Sequence, residues 1–299
     1  MYFDDEPGPV FRPPSEAESF ILRVTVGCSH NACTYCNMYR TVKFHVKAPA
    51  DVSAQIRAAA ATGLPVKKVF LSDGDALVLS TGRLIDILSE LRAAFPKLQR
   101  VAAYAGPRAI LGKNPQDLRV LRENGLKLLY YGMETGDDRL LKEVNKGVDA
   151  REAVEAGCRV RAAGIKLSMM IIAGLGGAGG SAEHARHTAE AVNIIKPDML
   201  SALTLMLYRG SELKEKYERG DFDILTPPQI MDELCAVLRG IDLPPGSCML
   251  FRSNHISNYF SLAGTLPKDK ERLLRQAEAA RSELAKMPFY DPYNNAEHF

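Results

Sequence analysis

The chain has 299 residues, 46% hydrophobic and 25% charged, with a formal net charge of +2. That length suits one α/β barrel or two smaller domains, and a charge this balanced and scattered does not suggest a nucleic-acid binder. No apolar run approaches the ~18 residues of a membrane span, so the expected location is the cytoplasm, where six cysteines point to metal binding or core positions rather than disulfides.

Residues 1–19 read as an N-terminal extension, acidic, Pro-rich and unlike a signal peptide. Arg12 within it reads as a surface cation, or as one that reaches an acidic substrate group. FILRVTVG (20–27) is the first strand. A helix over 51–62 puts Val52, Ile56 and Ala60 on one face. VKKVFLS (66–72) is the second strand, and residues 82–94 form a helix with Leu84, Ile87, Leu88 and Leu91 together. QRVAAYA (99–105) and LKLLYYG (126–132) follow, with a helix over 116–124 between them. Helices over 137–145 and 150–163 lead to KLSMMIIAG (166–174). A helix over 181–195, capped by Ser181 and ended by Pro197, leads to MLSALTLML (199–207). Residues 246–267 read as polar and irregular, followed by a helix near 268–286 and a loose tail. Six strands alternating with helices imply parallel strands with right-handed crossovers, in a barrel or a doubly wound sheet. In either, chemistry belongs at the C-terminal strand ends.

The loop after the first strand, GCSHNACTYCNMYR (27–40), holds Cys28, Cys33 and Cys36. Incidental buried cysteines scatter and do not crowd a Gly- and Asn-containing loop. A structural zinc needs a fourth ligand, which would be His30, His45 or a distant cysteine, and neither histidine completes a usual pattern. An iron–sulfur cluster takes closely spaced thiolates, and three of them leave one iron open to a small molecule.

Cys28-x4-Cys33-x2-Cys36, with Tyr35 before the last cysteine, resembles the cluster loop of the radical SAM superfamily, whose common form is C-x3-C-x-aromatic-C. One extra residue separates the first two cysteines here. Two further stretches carry the likeness. LSDGDAL (71–77) is similar to the Gly-rich, acid-ended motif that meets the amino group of S-adenosylmethionine, with Asp73, Gly74 and Asp75 at the matching places. YYGMETGDDRLLKEVNKG (130–147) resembles a stretch of the branch that includes oxygen-independent coproporphyrinogen oxidases and methylthiotransferases. There the residue at Glu134 binds near the ribose and amino acid of the cofactor, and the one at Lys146 faces its carboxylate. From the residues alone, Asp73-Gly74 is also an ordinary turn, Glu134 a loop acid and Lys146 a helix C-terminal cation.

AGLGGAGGS (173–181) satisfies G-x-G-x-x-G after a strand. Its acid, Asp198, lies before the next strand rather than at its end, which argues against dinucleotide binding. The resemblance instead gives Gly174 and Leu175 main-chain contact with adenine, although the acid that ends this turn in relatives is missing.

The likeness covers roughly 20–207. It implies a partial (β/α)6 TIM-like barrel over 20–245, with residues 246–299 as a C-terminal extension covering it rather than a second domain. It also implies a [4Fe–4S] cluster and S-adenosylmethionine as cofactors. Reductive cleavage would give a 5′-deoxyadenosyl radical that abstracts hydrogen from a small-molecule or peptide substrate, with electrons from a flavodoxin or ferredoxin. The rivals are an RNA-modifying enzyme of the same superfamily and an NAD-dependent oxidoreductase with structural zinc. FRSNHISNYF (251–260) suits a substrate-binding lid or a hydrogen-bonded structural loop. His255 and Tyr259 are its candidate catalytic residues, with Arg252, Asn254 and Asn258 beside them. Cys248 reads as a radical acceptor, a ligand or, by preference, a buried thiol, and Cys158 and Cys235 as core residues.

Overall fold

The apolar runs become strands and the amphipathic runs helices. The computed structural model describes residues 1–289 and Tyr293, so most of the tail read beyond 286 lies outside the described residues. The fold is α/β, with a mostly parallel sheet of eight strands. The chain divides into two compact units.

The first unit comprises Met1–Asn31, Met38–Tyr131 and Glu155–Leu167. In chain order it holds β1 (Phe20–Arg23), β2 (Thr25–Val26), β3 (His45–Val46), α1 (Pro49–Ala61), β4 (Lys68–Ser72), α2 (Thr81–Ala94), β5 (Arg100–Tyr104), α3 (Pro107–Leu111), α4 (Pro115–Glu123) and most of β6 (Leu126–Glu134). β1, β4, β5 and β6 pair in that order, all parallel, while β2 and β3 form a small antiparallel ribbon. Phe20, Leu22, Val69, Phe70 and Leu71 are almost fully buried beside Leu84, Leu88 and Leu91 of α2. α1 buries Val52, Ile56 and Ala59. Ala60, expected there, is exposed, because two turns of 3.6 residues from Val52 arrive at 59.

Arg23, the last residue of β1, is fully buried. Its Nη2 lies 2.9 Å from Asp73 Oδ2, and its Nη1 donates to the Glu6 carbonyl at 3.0 Å and approaches Asp4 at 3.7 Å. A charge so desolvated is costly without such partners. Lys47 adds contacts to Asp4 at 2.8 Å and Glu6 at 2.7 Å, so the N-terminal segment is tied down by charge.

The second unit comprises Ala32–Asn37, Gly132–Val154 and Ser168–Phe299. It holds α5 (Asp138–Glu143), the start of α6 (Ala150–Ala162), nearly all of β7 (Lys166–Ala173), α7 (Gly177–Ile195), β8 (Met199–Thr204), α8 (Glu212–Glu218), α9 (Pro227–Gly240), β9 (Met249–Arg252), β10 (Ala263–Leu266) and α10 (Lys270–Leu284). β7, β8 and β9 are parallel neighbours, and β10 closes the edge antiparallel to β9. The stretch 246–267, irregular by its sequence, therefore contributes two strands. Residues 246–248 form the turn before β9, and 253–262 is the loop between the two strands. A four-residue strand, and one with Gly264 inside it, carries too little alternation to be read.

α7 also begins earlier than its sequence suggests. Ser181 does not cap it. Gly176 occupies that position and Ser181 lies inside the helix. The glycines favour no helix on their own, but the Ala178 N–H donates to the Asp223 carbonyl at 2.9 Å, which satisfies a first-turn donor and holds the turn wound.

Candidate functional site

In the first unit, Gly27 leaves β2 with φ +78° and delivers Cys28, whose Sγ accepts the Asn31 N–H at 3.4 Å. The turn after β4 lies against it. A Cβ on Gly74 would stand 3.1 Å from Cys28 Cα, and the Gly74 N–H donates to the Gly27 carbonyl at 3.2 Å. A side chain here would press the two loops apart by a few tenths of an ångström. The two acids beside it differ. Asp73 accepts from Arg23 Nε and the Tyr39 hydroxyl, both at 3.0 Å, so its carboxylate is committed to the interior. Asp75 accepts the Ser29 hydroxyl on Oδ2 at 3.0 Å, while its buried Oδ1 meets no hydrogen-bond partner among the described residues. Burial pushes the Asp75 carboxyl up to about 6, against hydrogen bonds from the Gly106 and Leu77 main chain and from Ser29.

In the second unit the rest of the loop is held by its main chain. Thr34 donates to the Val144 carbonyl and accepts from the Leu213 N–H, each at 3.0 Å. Asn145 Nδ2 donates to the Ala32 carbonyl at 3.1 Å. Tyr35 is buried with Leu140, Val144, Leu175, Leu205, Leu207 and Leu213, and Cys33 and Cys36 pack against this cluster. Burial pushes the Tyr35 phenol well up, as do Glu134 and both thiols. Glu134 ends β6 with φ +68°, and its Oε1 lies 2.8 Å from Lys146 Nζ. A side chain on Gly132 would collide with the Glu134 carboxylate, so glycine is required for the acid to fold back. Lys146 thus meets an acid of the same unit rather than standing alone.

None of the six cysteines is disulfide-bonded, and Cys28, Cys33 and Cys36 are each half-exposed. His45 Nε2 lies 2.8 Å from the Glu6 carboxylate. Three half-exposed thiols on one loop suit a cluster with an open iron, and in the first unit the unpartnered Asp75 oxygen suits an ammonium-bearing ligand. The sequence profile of the Radical SAM superfamily matches residues 22–189, more than half of the chain. This chain belongs to the radical SAM superfamily.

Radical SAM proteins are enzymes that use a [4Fe–4S] cluster and S-adenosylmethionine. The heme chaperone HemW of Bacillus subtilis (strain 168) is 23% identical over 213 residues, 68% of this chain and 54% of HemW. The chain thus spans about half the length of that curated relative. Methylornithine synthase (PylB) has a similar fold, with a TM-score of 0.52 at 15% identity, covering 89% of this chain and 84% of PylB. Coproporphyrinogen III oxidase (HemN) from Escherichia coli gives 0.51 at 16% identity, covering 89% of this chain and 52% of HemN. No helix among the described residues is long and apolar enough to cross a membrane.

The glycine turn of this radical SAM chain has a partner that its sequence did not disclose. The Gly174 N–H donates to Glu233 Oε1 at 2.7 Å, and the Ser181 hydroxyl to Glu233 Oε2 at 2.5 Å. Glu233 comes from α9, an element not read from the sequence. His184 lies beside it, with Nδ1 2.8 Å from the Thr135 hydroxyl. Burial pushes the His184 pKa down and keeps the ring neutral. Arg23 and Tyr39 were also missed: an arginine inside a strand pattern and a loop tyrosine have no sequence signal of their own.

The substrate-side candidates are placed as follows. His255 is half-buried, and its described hydrogen bonds run through Nδ1 to Ser257. Tyr259 is 41% exposed. The loop 253–262 is fastened to the end of β8. Asn258 Nδ2 donates to the Ala202 carbonyl at 2.9 Å, its Oδ1 accepts the Thr204 hydroxyl at 2.9 Å, and the Thr204 N–H reaches the Ser257 hydroxyl at 3.1 Å. Cys248 is exposed, not buried, because it sits in the turn that precedes β9. Cys235 is buried, as expected, whereas Cys158 on α6 is only half-buried. Arg12 is exposed. Asp137, Glu183 and His187 each bring a ligand atom within 4.8 Å of the others. Arg186 bonds Glu183 and lies 2.6 Å from His187 Nε2, so a cation already occupies that cluster.

Proposed function

We propose that this radical SAM enzyme acts on a small-molecule or peptide substrate, held at the C-terminal strand ends and beneath the loop 253–262. The observation that carries the reading is Asp75: a buried carboxylate oxygen without a partner, next to a glycine pressed on Cys28. Such an acceptor suits an ammonium group. Cys28, Cys33 and Cys36 would hold the [4Fe–4S] cluster, which when reduced supplies the electron that cleaves S-adenosylmethionine to a hydrogen-abstracting 5′-deoxyadenosyl radical. Asp75 would receive the amino group of the cofactor through its side chain. Asp73 and Gly74 would act through their main chain, since the Asp73 carboxylate is already taken. Glu134 and Lys146 would meet the ribose and carboxylate ends, and Gly174 and Leu175 would offer main-chain atoms to adenine. Tyr35 would seal the loop against the apolar cluster. The loop 253–262, with His255 and Tyr259, would exclude water from the reacting atoms. A flavodoxin or ferredoxin in the cytoplasm is the proposed electron donor.

The test is anaerobic reconstitution followed by iron analysis and a reductive assay for 5′-deoxyadenosine. About four irons per chain are expected in the parent, with loss of most iron in Cys28→Ala, Cys33→Ala and Cys36→Ala. A colourless protein with stoichiometric zinc would sink the proposal.

A further inference from the structure

β7, β8 and β9 place one residue each in a lateral row. Met170 is in register with Ser201, and Ser201 with Arg252. Registered residues on neighbouring strands share a face. The other face is sealed, with Met169, Ile171, Leu200, Ala202 and Phe251 at 0–1% exposure. The row itself is only half-buried. Beyond Arg252, on β10, the opposed residue is the small Ala263, which leaves room beside the guanidinium.

Arg252 makes no ion pair among the described residues. Its Nη1 donates to two main-chain carbonyls, Phe251 at 2.7 Å and Gly264 at 3.4 Å. The Nε–Nη2 edge has no acceptor among the described residues, and the Ser201 hydroxyl one strand away has no described hydrogen bond either. Among the shielded cations, Arg23, Lys47, Arg100 and Lys146 each meet a carboxylate, while Lys113, like Arg252, bonds a main-chain carbonyl. Partial burial removes water from a guanidinium, and an anion restores what is lost. The pinned Nη1 fixes the plane of the group, so its free edge is set for a bidentate oxyanion.

We infer that Arg252 and Ser201 form an oxyanion subsite, and that the substrate of this enzyme carries a carboxylate or a phosphate group. This rests on the proposal above that the substrate is held at the C-terminal strand ends beneath the loop 253–262. The cofactor's own carboxylate has Lys146 in that proposal, so Arg252 is left for a second anion.

Phenylglyoxal labelling of Arg252, followed by peptide mass spectrometry on the reconstituted enzyme, tests it. Labelling should slow by ~5-fold or more in succinate or in inorganic phosphate relative to sodium chloride of equal ionic strength. Protection by succinate alone marks a carboxylate site, and by phosphate alone a phosphate site. Ser201→Ala should weaken the protection. Equal labelling in all three salts, or protection by S-adenosylmethionine alone, overturns the subsite. Arg252→Lys and Arg252→Gln should keep the parent's iron content, and loss of iron in both variants would move Arg252 out of the substrate site. A parent protein without iron would defeat the proposed enzyme while leaving the labelling result to stand by itself.

Discussion

The Gly174 N–H and the Glu233 carboxylate meet at 2.7 Å across 59 residues of sequence. The acid is 3% exposed and also holds the Ser181 hydroxyl. Glu233→Ala would leave two donors without an acceptor, at a cost of about 1–3 kcal/mol each. Glu233→Gln should recover most of it. Its amide oxygen can take the Gly174 N–H, and the Ser181 hydroxyl can rotate to accept from the amide nitrogen. Chemical denaturation reads the difference. If the turn also serves adenine, Glu233→Ala weakens S-adenosylmethionine binding while iron content is kept. Equal stability of the Ala and Gln variants would show that the acceptor geometry is irrelevant.

Asp75 gives a pH dependence with a defined sign. Its carboxyl is pushed up to about 6 in the folded chain, from 3.8. Between those values the folded state holds a proton that the unfolded state has lost. Stability therefore falls as pH rises through the window, by roughly 3 kcal/mol when complete. Above it the buried charge favours an incoming cation. S-adenosylmethionine affinity should accordingly rise between about pH 5 and pH 7, and Asp75→Asn should flatten that rise. Titration calorimetry on both proteins decides it, and a parallel profile in the variant would clear Asp75 of the role.

What was legible in the sequence is what repeats with a short period. The apolar runs of β4, β5, β7 and β8, and the leucines of α2, declare themselves because burial selects a short continuous or alternating apolar run in a strand and every third-to-fourth residue in a helix. The cysteine loop and the Asp73-Gly74-Asp75 turn are legible because their chemistry is contiguous. Pairings made by folding are not. Nothing near Gly174 points to Glu233, nothing in FILRVTVG says that Arg23 is neutralised by Asp73, and MLFR is too short to announce a strand that ends on Arg252. Asp73 shows the limit most clearly: the motif names it, but only the fold reveals that its carboxylate faces Arg23 and Tyr39.

Glu134 and Lys146, 2.8 Å apart and each 12% exposed in the side chain, invite a double-mutant cycle on cofactor affinity. If the two only neutralise each other, Glu134→Gln with Lys146→Met should bind S-adenosylmethionine about as well as the parent. If each also touches the cofactor, the double variant should lose about 1.5–3 kcal/mol per residue. We expect the second result, because both lie at the C-terminal end of β6 in a fold whose chemistry is at strand ends. Iron content serves as the control. Full recovery in the double variant would reduce the pair to a structural one.

The loop 253–262 separates two effects. Asn258 fastens it to β8 through Ala202 and Thr204, with both contacts at 2.9 Å, whereas His255 bonds only within the loop through Nδ1. Asn258→Ala should therefore cost about 1–3 kcal/mol of stability and loosen the cover. Water would then reach the reacting atoms, and uncoupled 5′-deoxyadenosine should increase relative to product. His255→Gln removes no tie to β8 and should leave stability nearly unchanged. Burial lowers the His255 pKa, so its ring is neutral near pH 7 and can exchange a proton with substrate. If it does so, His255→Gln lowers product without altering iron content or cofactor affinity. An unchanged product ratio in Asn258→Ala, at the expected loss of stability, would mean that the loop stabilises the sheet edge and covers nothing.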